Sequence, residues 1–209
     1  SAVAGTMPHA IFIETNADGS GGVAAYAAEL PGCAAFAATD DQAAAAIPRR
    51  VERFGAWLRS RGEEAPTFVG DNWYEVERAA AEAEDGLRRA AFSLDELPPS
   101  DGEFTRWLGW LELAREELAD ALDGAGHEAP AERLRAIANQ DLALARELGG
   151  DSPDPGGDPV DCLYAARDFL TDALVGAGAS ADGVRRALRL AIADDLHLAE
   201  RLAEPGPGR

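Results

Sequence analysis

LRAIANQDLALARELG, Leu134 to Gly149, is the stretch that decides how the second half of this chain folds. Its apolar residues stand at 134, 137, 138, 144, 145 and 148, a spacing that lines one face of a helix. In the middle of that face sits Asp141. A carboxylate on an apolar stripe must find a partner or give up its charge, because desolvating it alone costs on the order of several kcal/mol. Its counter-charge has to come from a neighbouring helix.

Four helical patterns fill this half, at about 103–123, 131–149, 159–176 and 181–204. Trp107, Leu108, Leu111, Leu118 and Leu122 give the first its apolar face. Val160, Leu163, Tyr164, Leu170 and Leu174 give the third its face, and Val184, Leu188, Ile192, Leu198 and Leu202 the fourth. Four helices with one apolar face each predict a four-helix bundle. At about 100 degrees per residue, each stripe carries one charged residue near its centre: Arg115, Asp141, Arg167 and Asp195. Two cations and two anions cancel, which predicts a buried network in which guanidinium groups bind carboxylates through paired hydrogen bonds. Such a network either fixes the register of the helices or lines a polar pocket for a small anionic or zwitterionic ligand. Trp110 falls at the edge of the first stripe and is expected to be exposed, as a contact for a second copy of the chain; the alternative is that it packs under the N-terminal domain.

Working outward toward the start, AIFIETN places Ile11 and Ile13 on alternate positions and VAAYAAEL follows a DGSGG turn, so this stretch reads as a hairpin. LPGC, Leu30 to Cys33, ends the second strand, and AAFAA supplies a third. TDDQ begins a helix at Thr39 with Gln42 closing a capping box. Ile47, Val51, Phe54 and Leu58 keep helical spacing, Gly62 stops the helix, and Pro48 implies a kink or a restarted first turn. LPPSDG at 97–102 and GGDSPDPGGDP at 149–159 are punctuation. The resulting division is 1–6 a cloning remnant ahead of the single methionine, Met7; 7–80 a small α/β domain; 81–102 a connector; 103–204 the bundle; and 205–209 a tail.

Thirty-eight acidic against nineteen basic residues leave a net charge of -19, which repels a phosphate backbone and argues against nucleic acid as a partner. No apolar run approaches the roughly 20 residues of a membrane span, and nothing resembles a signal peptide; a cytoplasmic protein is expected. Cys33 and Cys162 are too few for a disulfide framework or a Cys-rich zinc site and read as small buried thiols. His9, ahead of the first strand, and His127, in the GAGHEAP turn, read as solvated surface residues.

ELPGC at Glu29 to Cys33, TDDQA at Thr39 to Ala43 and WLRSRGE at Trp57 to Glu63 resemble the small HicB-like domain. That resemblance covers about a third of the chain and implies a β-β-β-α-β order, with a last strand near Trp73 to Arg78. FSLDELPPSDGEF at 92–104, LARE at 113–116, the opening stretch, and VRRALRLAIADDLHL at 184–198 resemble a DinB-like bundle. The fold class expected is therefore α+β, a HicB-like domain followed by a DinB-like four-helix bundle. DinB-like proteins bind a divalent metal through three histidines, and the resemblance places Ala136 at the first of those positions and His197 at the only one still filled. With that triad incomplete, no cofactor is expected, His197 is the sole candidate ligand, and no catalytic residue is assigned. The function expected is a non-catalytic binding or assembly role, as a homodimer, for which both resemblances speak. The alternative is a metal-dependent transferase or hydrolase that uses a thiol.

Overall fold

In the computed structural model, which describes residues 9–17, 21–67, 72–81, 90–125, 130–151, 153 and 156–203, the protein is α+β: a four-stranded mixed sheet and five α-helices. The described residues up to Phe92 form one compact unit and those from Ser93 onward a second. Residues 1–6 and 205–209, read as a remnant and a tail, and His127 lie outside the described residues.

The first unit runs β1 (His9–Thr15), β2 (Val23–Ala27), β3 (Ala34–Ala37), α1 (Asp40–Ser60) and β4 (Trp73–Ala80). The strands lie in the order β3-β2-β1-β4. β1 pairs antiparallel with β2, Ile13 opposite Ala25, whereas β4 returns parallel to β1 across a bulge at Ile11/Phe12. Parallel pairing requires a crossover, and α1 is that crossover. Thr39 accepts a hydrogen bond from the Gln42 backbone N–H at 3.4 Å, as the TDDQ capping box predicts. Ala43, Ile47, Val51, Phe54 and Leu58 are buried along the helix. Pro48 neither ends nor restarts it: α1 is one element from Asp40 to Ser60, its packed face outweighing the one backbone hydrogen bond proline cannot donate.

Residues 11–14 of β1 and all of β2 are buried, so both faces of the central strands are covered. Phe92 stacks on Phe12 at 4.6 Å between ring centroids and lies 6.2 Å from Tyr26. Alternation puts Glu14 on that same face. It is fully buried, and the Tyr26 hydroxyl donates to its Oε2 at 2.6 Å. His9, expected to be solvated, is half-buried instead, with Nδ1 3.4 Å from Glu29 and its ring against Trp73. Pairing of β1 with β4 is what encloses it.

The second unit begins with a short 3-10 turn, Ser93–Glu96, followed by α2 (Asp101–Ala125), α3 (Ala131–Glu147), α4 (Pro159–Ala177) and α5 (Val184–Ala203). α2 opens on a capping box that fixes its start: Glu103 accepts from the Ser100 backbone N–H and hydroxyl, both at 2.8 Å, and the Ser100 hydroxyl accepts from Glu103 N–H at 3.3 Å. Those bonds hold the Glu103 carboxylate below its usual range. α4 is capped by Asp158 with Pro159 at its first position. α3 packs along α4 and α2 along α5. One apolar cluster draws on all four helices, through Leu118, Leu122, Leu134, Ile137, Leu163 and Leu198. No helix among the described residues is long and apolar enough to cross a membrane.

The α3–α4 seam closes tightly at Gly150. A Cβ built there would stand 2.6 Å from the Ala173 Cβ and 3.2 Å from the Ala145 carbonyl oxygen, neither of which can move without its helix. Gly150→Ala is expected to cost about 1–3 kcal/mol of stability as an overpacking defect. Urea unfolding checks this, and an unchanged midpoint would show that the seam is looser than the geometry states.

Candidate functional site

Each of the four bundle helices carries one of its charges to a common point. Arg167 on α4 is 3% exposed and Asp195 on α5 is fully buried. Arg167 Nη2 donates to Asp195 Oδ1 at 2.6 Å and also lies 3.1 Å from Oδ2 of Asp141, the α3 residue that interrupts the opening stretch. Arg115 on α2 stands further off, its Nε 3.6 Å from Asp195 Oδ2 and its Nη2 3.8 Å from Asp141 Oδ2. The four sequence-predicted residues therefore meet, but unequally. Arg167 is the hub, and Arg115 is a rim residue whose guanidinium also lies over the Tyr164 ring at 5.6 Å.

Burial shifts two members, Asp141 and Arg115. It pushes the Asp141 carboxyl up, to about 6, with Asp195 adding to the push and Arg167 and Arg115 opposing it. Burial also pushes the Arg115 guanidinium down, to about 10, helped by the Arg167 cation and resisted by Asp195 and Asp141. Because the folded-state value of Asp141 lies above its ordinary 3.8, the stability it contributes is full at low pH and is lost as the pH rises through about 6. Asp141→Asn cannot ionise, so it should gain stability relative to the wild type as pH is raised from about 4 to about 7. Urea midpoints at a series of pH values measure the difference; parallel profiles would remove the effect.

Helical periodicity puts one charge on each stripe, and the structure buries further ones. On α5, residues 187–195 are buried without interruption, including Arg189 and Asp194. Arg189 holds Asp95 of the 3-10 turn in a fork, Nη2 to Oδ2 at 2.6 Å and Nε to Oδ1 at 3.3 Å, with both side chains at most 5% exposed. One turn earlier, Arg185 donates to the Leu97 carbonyl at 3.1 Å and covers the Trp107 ring at 4.7 Å. Trp110, expected at the surface, is 1% exposed and offers no contact to a second copy. The α2 face is wider than a single stripe, burying both Trp107 and Trp110.

The metal position implied by the DinB-like resemblance does not map onto a ligand set. Ala136 points to the exposed side of α3, so a histidine there would not reach the bundle centre, and His197 is only half-buried. Among the described residues no three His, Cys, Asp or Glu side chains converge on a possible ion. The two carboxylates at the bundle centre, Asp141 and Asp195, are contacted by Arg167 and flanked at 3.6–3.8 Å by Arg115, two cations that oppose a metal ion there. The described residues do not fit a divalent metal. Cys33 and Cys162 are buried thiols outside any disulfide among the described residues, as expected; the Cys162 thiol donates to the Gly156 carbonyl at 2.9 Å.

No protein-family model, no curated protein and no solved structure matches this chain.

Proposed function

We propose that this is a non-catalytic binding or assembly protein, a HicB-like sheet domain joined to a DinB-like bundle that lacks the family's histidine triad and holds an ionic core at its centre. The observation that carries the reading is Arg167, buried at 3% exposure and in contact with Asp195 at 2.6 Å and Asp141 at 3.1 Å, so that the carboxylates at the bundle centre are already engaged by a cation. The β-β-β-α-β order of the first unit and the four helices of the second support the two resemblances. We place the protein in the cytoplasm as a homodimer; its net charge of -19 turns it away from nucleic acid. Its partner is a second copy, with a small anionic or zwitterionic ligand as the guest most compatible with paired guanidinium and carboxylate groups.

Metal analysis of the purified chain tests the catalytic side, with no stoichiometric ion expected. One tightly bound divalent ion per chain would overturn the proposal in favour of a metal-dependent, thiol-using transferase or hydrolase. Light scattering tests the assembly side: twice the chain mass of 21.9 kDa is expected, and a monomer at every concentration would refute it.

A further inference from the structure

We propose that the four-charge core is a proton-operated latch, in which protonation of Asp141 releases the Arg115 side chain from the bundle interior to solvent. The argument starts from Arg167 Nη2, a single nitrogen on which two buried carboxylates converge, Asp195 at 2.6 Å and Asp141 at 3.1 Å. Two anions so close together in a dry interior do not hold their charges equally, and the more weakly bound one takes a proton first. Asp195 owns the only hydrogen bond from Arg167 within the quartet. Asp141 has only the longer contacts, at 3.1 Å to Arg167 and 3.8 Å to Arg115, and is the member that takes the proton from water.

The groups facing Asp141 are Arg115 from α2, Arg167 from α4 and Asp195 from α5. Once Asp141 is neutral, two cations face one anion. Arg167 cannot leave, being 4% exposed along its side chain and bonded at 2.6 Å. Arg115 can: its side chain is 14% exposed, both its ion contacts exceed hydrogen-bonding distance, and its Nε and Nη2 have no hydrogen-bond acceptor. Turning it outward past Tyr164 returns one charge to water and leaves Arg167 and Asp195 as a neutral pair. Above the transition the quartet is balanced and closed; below it, a buried guanidinium–carboxylate pair beside a neutral carboxyl is uncovered at the rim of the bundle.

The test is a pH titration of the full chain followed by the arginine Nε–H resonances in nitrogen-15 spectra, with Arg115 assigned from Arg115→Lys. The Arg115 signal should be protected from solvent exchange at about pH 8 and lose at least about tenfold of that protection, relative to the other arginines, with a midpoint near 6. Asp141→Asn should show the released signal at every pH. Should that variant not fold, carboxyl carbon-13 titration of the wild-type aspartates decides, since one carboxyl must titrate in step with Arg115. Protection of Arg115 that is equal at both ends of the range would overturn the latch. So would the same midpoint in Asp141→Asn, or the absence of any aspartate titrating above about pH 5.

Discussion

Arg167→Ala is expected to lower the stability of the bundle by about 3–5 kcal/mol, because it strands two buried carboxylates at once. Arg167 makes the short contacts of the quartet, while Arg115 stands too far from either aspartate to replace them. The cost is one of uncompensated charge, which a second measurement isolates. Replacing Arg167, Asp141 and Asp195 together by apolar residues of similar volume should recover most of the loss, since a buried ionic group is seldom more stabilising than the hydrophobic packing it displaces. Urea unfolding followed by far-ultraviolet circular dichroism gives both numbers. A loss under about 1 kcal/mol for the single variant would mean that the aspartates find water or protons cheaply, and the hub assignment would fall.

Arg189→Ala is expected to cost nearly as much, about 3 kcal/mol, by leaving Asp95 buried without its fork. Here the loss should be local. Asp95 lies in a short turn that Arg185 also grips at Leu97, so the Ser93–Leu97 backbone amides should exchange with solvent far faster in the variant. Asp95→Asn combined with Arg189→Met should be milder than Arg189→Ala, and the double-mutant cycle reads the coupling between the two. If Arg189→Ala left exchange in the turn unchanged, the turn would be held by packing and not by the ion pair.

What the sequence shows of this fold follows from where periodicity is a sufficient description. A single charge on an apolar stripe is visible at 3.6-residue spacing, and Arg115, Asp141, Arg167 and Asp195 do meet. Their ranking was not visible, because it depends on depth and side-chain reach, which a helical wheel does not contain. Arg189 is not legible at that spacing because α5 is buried around most of its circumference, so a second charge on it lies off the main stripe. Its partner Asp95 is 94 residues away in a turn whose sequence carries no helical period. Glu14 is hidden for the matching reason in the sheet: alternation says which face a residue takes, and on a strand buried on both sides neither face is solvent. Ser100 and Glu103 are a different kind of miss, since S-x-x-E is a legible capping signal and places the start of α2 at Asp101, two residues before the periodic pattern begins.

The parallel pairing of β1 with β4 imposes an order on synthesis. β1, β2, β3 and α1 can assemble from contiguous chain, but one edge of β1 stays open until residues 73–80 emerge. Phe12 and Tyr26 stay without their aromatic cover until Phe92 follows. At roughly 5–20 residues per second the nascent chain spends seconds with a bare strand edge and an uncovered aromatic face. An edge in that state pairs with whatever strand is nearest, so the interval between α1 and Phe92 is when a polysome-borne neighbour of the same sequence competes most directly with the chain's own β4.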